Sequence, residues 1–307
     1  MDGTVGSPER VECVSQRPCL LCGDERRRQR FPGTRLSWIV ECVSCGIVFS
    51  DPQPSDAELQ AIYDEHYYEQ FGFVEGAHSA DQGLARTKRA TYARMLASAA
   101  PEVRSAGRRL LDVGCGLGFS LLAARDAGFE ALGVDPLGPE DPEHHPGRRI
   151  IRGTLETFSD PVPFDLVSLI DVIEHVRDPV ATLRRAAELL APGGALLVAT
   201  NDSSSLGARL LGPRWTHYHR AHLWFFTPRT LARVVELAGL EVVRDVPAQR
   251  VYNLEYVASI LARSENFEGA AKLARVLLAI TPGPLQRLPW PPVREGFVLV
   301  ARKRTAT

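Results

Sequence analysis

From Arg108 onward the apolar and polar positions switch repeatedly between two periods. Short apolar runs stand at RLLDV (109–113), FEALGVD (129–135), RRIIRG (148–153), FDLVSLID (164–171) and ALLVAT (195–200). FSLLAARDAG (119–128) and DPVATLRRAAELLAPGG (178–194) repeat at helical spacing between them, the second ended by Pro-Gly-Gly. The 164–171 run is apolar nearly throughout, as a strand buried on both faces requires. Strands alternating with helices predict an α/β fold, a Rossmann-like doubly wound parallel sheet with ligands at the C-terminal ends of its strands. TPRTLARVVELAGLEVVRDV (227–246) predicts a capped helix and a strand, and GFVLVARKR (296–304) a last strand. The segment 253–292 is too long for a hairpin. Its amphipathic stretches near 254–264 and 268–280, followed by TPGPLQRLPWPP, predict a C-terminal helical insertion.

Upstream, TRLSWIVE (34–41) predicts a strand, Ser55 a helix cap, and 83–100 an amphipathic helix. Tyr63 and Tyr67 share one helical face, with Tyr68 beside them; they pack under a lid or touch a ligand. The predicted organisation is a cysteine module over 1–54, a helical lid or linker over 55–107, and the α/β domain over 108–307.

The chain's 307 residues are enough for one large domain and a smaller piece. Net charge is −1, which argues against a general nucleic-acid binder. DERRRQR (24–30) is a local basic exception, read as a solvated loop ahead of a phosphate-binding patch. With no apolar signal core and no long apolar span, the expectation is a cytoplasmic protein with no membrane partner. Cysteines in a reducing compartment are read as metal ligands or buried thiols before disulfides.

Four of the six cysteines form CLLCG (19–23) and CVSCG (42–46). Two-residue spacing lets both thiolates of a pair face one tetrahedral ion, and the following glycine allows a tight knuckle whose N–H groups point at sulfur. Cys19, Cys22, Cys42 and Cys45 are therefore the expected ligands of a structural Zn2+ in a small zinc-ribbon-like hairpin. Four thiolates leave no open position for catalysis.

After the first predicted strand comes Gly114-Cys115-Gly116-Leu117-Gly118, preceded by Asp112; Asp135 ends the second strand, where an acid can accept from two ribose hydroxyls. With FDLVSLIDVIEHV and LAPGGALLVAT in order behind them, the chain resembles the class I S-adenosylmethionine-dependent methyltransferases over roughly 108–245. The resemblance implies a seven-stranded sheet and S-adenosyl-L-methionine as cofactor. It implies that Gly114, Gly116 and Gly118, with Cys115 in the same loop, approach the methionine portion. Asp112 would orient that loop or meet the ammonium group, the plainer reading being a turn carboxylate satisfied by backbone N–H groups. Asp135 would hold the ribose, Thr154 and Leu155 flank the adenine, and Asp171 and Val172 floor the pocket.

Two further segments bear on the acceptor. DVIEH places Asp171, Glu174 and His175 at i, i+3 and i+4, one side of a helical turn. WTHYHRAHLWFF (215–226) adds His217, His219 and His222 among five aromatics. Three roles stand open: one of His175, His219 or His222 as general base, a divalent ion held by a variant of the Glu-x-x-Glu-His pattern with a distant histidine, or histidines that cap turns while Trp215, Trp224, Phe225 and Phe226 pack. The expected reaction is methyl transfer to a small-molecule acceptor such as a natural product, sugar or glycan precursor, oxygen favoured slightly over carbon. A carrier protein or a homodimer is a further candidate partner. The alternatives are an RNA methyltransferase that recognises its substrate through the ribbon, and a non-catalytic cofactor-binding scaffold.

Overall fold

The computed structural model describes residues 12–14, 18–63, 83–138, 147–263 and 268–304. Tyr67 and Tyr68 lie outside them. The N-terminal part contributes β1 (Glu12–Val14), β2 (Arg26–Gln29), β3 (Ile39–Cys42), β4 (Val48–Ser50) and α1 (Asp56–Ile62). The central part follows as α2 (Gly83–Ala99), β5 (Arg109–Val113), α3 (Phe119–Asp126), β6 (Glu130–Asp135), β7 (Ile150–Arg152), β8 (Phe164–Ile170), α4 (Pro179–Glu188) and β9 (Leu190–Thr200). Then come α5 (Leu206–Leu211), β10 (Trp224–Phe225), α6 (Pro228–Leu237), β11 (Leu240–Arg250), α7 (Leu254–Arg263), α8 (Glu268–Ile280), α9 (Gly283–Gln286) and β12 (Val293–Lys303).

The large sheet has seven strands in the order β11-β12-β9-β8-β5-β6-β7. The five from β9 to β7 run parallel, while β12 is antiparallel to both of its neighbours. The chain winds outward from β5 to β7 and returns to β8 on the other side of β5. That reversal opens a crevice at the C-terminal ends of β5 and β8. All seven residues of β8 are buried, its phenylalanine, leucines and valine each contributing about 2 kcal/mol of burial. Asp165 and Ser168 are the polar exceptions, and both have partners: Asp165 accepts from the Arg109 N–H, and the Ser168 hydroxyl donates to Asp112.

Three local expectations shift. DERRRQR is a strand: Arg27 is fully buried, Arg26 pairs with Asp24, and Arg28 pairs with Glu41 across to β3. These arginines are committed to the ribbon and do not form a phosphate patch. The strand expected over 34–41 starts only at Ile39, because the chain turns first. Gly33 has a φ of 70°, and the Thr34 hydroxyl donates to the Phe31 carbonyl while accepting from the Leu36 N–H. The helix expected to run to residue 194 ends at Glu188, and β9 begins at Leu190. Leu190 already pairs with Phe164; the register then slips around Gly193 before Ala195 meets Leu166.

The small sheet has the order β1-β2-β3-β4-β10. Its last strand comes from WTHYHRAHLWFF: Trp224 pairs with Phe49 and Phe225 with Val48. Phe49 and Trp224 also meet through their rings at 5.6 Å, and Trp38 and Phe225 at 6.3 Å. Ser55 caps α1 through a reciprocal capping box with Glu58.

Candidate active site

Three strand ends build the first half of the site. The turn after β5 holds Gly114, Gly116 and Gly118 at φ of 68°, 53° and 73°, all in the left-handed region. A Cβ on Gly114 would stand 2.5 Å from the Val172 side chain, so Val172 at the end of β8 closes directly on this loop. Asp135 at the end of β6 accepts from the N–H of Gly116 at 2.9 Å and of Leu137 at 2.8 Å. Asp112 accepts from the Ser120 and Ser168 hydroxyls, not from backbone N–H groups. Burial pushes its carboxyl up to about 6, and the two serines pull it back. Cys115 is buried, and burial pushes its thiol well up. Thr154 opens a turn closed by Thr157, and Leu155 is buried.

The second half lies one turn further along. Asp171 takes a φ of 56° at the end of β8, and its carboxylate is not among the ligand-type atoms clustered at Glu174 and His175, though its charge reaches both. Its carboxylate forms a two-pronged pair with the Arg250 guanidinium at 2.5 and 2.8 Å. The sequence grouping of Asp171, Glu174 and His175 thus gives way to Glu174, His175 and His222, whose ligand-type atoms lie within 4.8 Å of one another. Backbone bonds hold the two segments together: the Leu223 and Trp224 N–H groups both donate to the Glu174 carbonyl. The His175 and His222 rings are 4.6 Å apart, and His219 lies 3.8 Å from His222. Nδ1 of His175 is 3.0 Å from the Ala221 carbonyl and 2.7 Å from the Tyr63 hydroxyl. A proton on Nδ1 directed at Ala221 leaves Nε2 with its lone pair. His217 packs on Trp215, stacks on His222 with ring centroids 6.0 Å apart, and lies 3.4 Å from Glu295.

Burial governs the protonation of this cluster. It pushes Glu174 up to about 8, with the Asp171 charge adding to the shift. It pushes His175 down to about 4, His219 to about 3, and His222 well below its ordinary value. Glu174 is 2% exposed, and neither of its carboxylate oxygens makes a hydrogen bond of good geometry, although the Thr200 hydroxyl lies close enough to pull its proton affinity down. A buried carboxyl without partners is costly unless it keeps a proton or faces a cation. Sequence reasoning gave Glu174 one candidate role, as the second acid of a cation-holding Glu-x-x-Glu-His variant; its burial by the distant 221–224 segment carries no local signal.

The cysteines form a second centre. All four sulfurs lie within 4.8 Å of one another, with Cys19–Cys45 and Cys22–Cys42 at 3.5 Å. A tetrahedral Zn–S4 site has sulfur–sulfur edges of roughly 3.8 Å, so the four residues fit such an ion. Gly23 and Gly46 both take φ of 74° and close the knuckles by donating to the Cys19 and Cys42 carbonyls. Backbone N–H groups approach the Cys19 and Cys42 sulfurs.

Residues 84–245 match a family model described as a methyltransferase domain. The chain is 33% identical over 159 residues to a ubiquinone biosynthesis O-methyltransferase of Aeromonas salmonicida (strain A449), covering 46% of this chain and 65% of that enzyme's length. It is 32% identical over 176 residues to the enzyme of the same name from Nitrosospira multiformis, covering 49% and 72%. Among solved structures, the [4+2]-cyclase SpnF aligns with a TM-score of 0.54 at 19% identity, over 83% of this chain and 98% of that one. This last likeness speaks to fold alone.

Proposed function

The chain belongs to the methyltransferase-domain family, and from that premise we propose that it transfers a methyl group from S-adenosyl-L-methionine to an oxygen of a small-molecule acceptor. The observation that carries this reading is the convergence of the glycine turn, Asp135 and the Glu174–His175–His222 cluster at neighbouring strand ends. The O-methyltransferase names of the relatives support oxygen over carbon. S-adenosylmethionine, when bound, supplies an electrophilic methyl on a sulfonium. Gly114, Gly116 and Gly118 admit its methionine portion, because any Cβ at Gly114 would fill the cradle against Val172. Asp112 braces that loop through its serines, and Asp135 accepts from the ribose hydroxyls. Thr154 and Leu155 flank the adenine; Val172 and the Arg250-held Asp171 floor the pocket. Cys115 serves as packing.

The acceptor's proton is taken at the second half of the site. A neutral imidazole, His175 or His222, receives it, and ionised Glu174, the form present above about pH 8, stabilises the resulting imidazolium. His219 supports His222 from behind. Cys19, Cys22, Cys42 and Cys45 hold a structural zinc whose role is to fix the ribbon and, through β4 and β10, the histidine-bearing wall.

A second reading is favoured by one observation: both Glu174 oxygens are buried and unpartnered beside two neutral imidazoles. Glu174, His175 and His222 then hold a divalent cation that lowers the acceptor hydroxyl's affinity for its proton. Metal analysis separates the two. Glu174→Gln should keep the wild-type metal content if a base acts alone, and lose one equivalent if a cation sits there.

The cofactor assignment is tested by calorimetry. Wild-type protein should bind S-adenosylmethionine in the micromolar range, and Asp135→Ala should weaken binding about 100-fold, the loss of two charge-assisted hydrogen bonds. Asp135→Asn retains one acceptor oxygen and should lose less. Zinc-replete wild type that binds no cofactor would overturn the reading. Binding without transfer to any acceptor in a broad screen would favour a cofactor-binding scaffold.

A further inference from the structure

The insertion between β11 and β12 carries a surface that its own packing does not use. In α8, Ala274 is buried and Ala270 and Leu278 are half-buried, at i, i+4 and i+8. On the outer face Leu273, Val276, Leu277 and Ile280 are 60%, 56%, 38% and 71% exposed, at i, i+3, i+4 and i+7. The helix is thus apolar on both faces, which is the pattern of a helix covered on both sides. The chain after it exposes four more large apolar side chains, Leu285, Leu288, Trp290 and Val293. An exposed apolar stripe of this kind marks an interaction site.

Charge selects the occupant. Between Glu268 and Glu295 the sequence has four cations, Lys272, Arg275, Arg287 and Arg294, and no acid, although the whole chain has a net charge of −1. All four are exposed, with Arg287 also 3.5 Å from Glu255. A second copy of this face would bring like charges together. An anionic lipid surface offers an apolar layer for the leucine stripe and phosphates for the rim, and Trp290 has the amphipathic ring that favours the interface between them. We propose that the α8–α9 face docks on the surface of an anionic bilayer. No helix of the described residues is long and apolar enough to cross one, so the contact is interfacial. The root of the insertion reaches the candidate site: the Trp290 N–H donates to the Tyr252 carbonyl, Tyr252 bonds Glu295, and Arg250 at the end of β11 holds Asp171. Docking there keeps the site close to the lipid. The proposal does not depend on the methyl-transfer reading.

The test is co-sedimentation of the full chain with vesicles of phosphatidylcholine alone or mixed with phosphatidylglycerol, at low and high salt. Wild type should sediment with the mixed vesicles, at least about tenfold more weakly with the neutral ones, and less as salt rises. Leu273→Glu combined with Ile280→Glu, at exposed positions, should reduce binding by about tenfold or more. Lys272→Glu combined with Arg294→Glu should do the same and remove the salt dependence. Unchanged circular dichroism and cofactor affinity would show these variants folded. No sedimentation of wild type with the mixed vesicles, or equal binding by the apolar variant, would overturn the proposal. So would a concentration-dependent dimer formed without vesicles and abolished by Leu273→Glu with Ile280→Glu, which would assign the face to a second copy.

Discussion

Glu174→Gln is expected to lower kcat by about a hundredfold, because the imidazolium formed on proton transfer loses its buried counter-charge while the imidazole that accepts the proton stays in place. It should leave the affinity for S-adenosylmethionine within about threefold, because the glycine loop and Asp135 are untouched. Stability should move the other way. The unfolded chain releases the Glu174 proton near pH 4.3, its ordinary value, and the native protein holds it until about pH 8. Between those values the native state binds more protons than the unfolded one, so this group's contribution falls as pH rises and is fully lost above about 8. Glutamine cannot ionise. The variant should therefore melt higher than wild type at pH 8, by about 2–4 kcal/mol of stability, and match it at pH 4. Thermal melts of the purified protein at the two pH values check this. A lower melting temperature at pH 8 would remove the account of Glu174 as a proton-holding carboxyl. It would favour a cation bound by Glu174, His175 and His222, whose loss destabilises the fold.

Cys42→Ser is expected to abolish zinc binding and most of the activity together. Cys42 is fully buried, bonded in register to Arg27 in β2, and 3.5 Å from Cys22. Structural zinc in small folds is worth about 10–16 kcal/mol of apparent binding free energy, more than a short-stranded hairpin gains from packing. Without it, β4 loses its anchoring and β10 its partner. His222 lies two residues before β10. Zinc should fall from a single equivalent to essentially none by metal analysis, and kcat by at least about a hundredfold, while cofactor affinity changes little because the glycine turn lies in the other sheet. A zinc-free variant of normal activity would show the ribbon to be dispensable to the wall.

The seven-stranded sheet was legible because its strands are buried on both faces, and such burial leaves continuous apolar runs that periodicity detects. The insertion helices were legible for the same reason, each having a sustained apolar face. The ribbon's strands were less so. They are three or four residues long, and their boundaries are decided by turn chemistry at Gly33 and Thr34 and by a buried arginine that composition reads as solvated. At the site, the sequence brought DVIEH and the histidine-rich segment into view together. It gave no sign that Asp171 would turn away to Arg250, 79 residues on, or that Glu174 would be left without a partner. Both outcomes depend on long-range packing, which a local pattern does not encode.

The pairing of β4 with β10 bears on how a protein of this kind can be cut and inherited. The segment that matches the family begins at residue 84, which leaves the ribbon outside it. Yet one strand of the ribbon's sheet is supplied from inside that segment, two residues past His222. A boundary drawn by similarity would keep the cofactor cradle and sever the wall from its brace. The smallest transplantable piece that retains an intact acceptor side is thus discontinuous in sequence. A swap of ribbons between relatives would be expected to succeed only when the residues facing Trp224 and Phe225 travel with it.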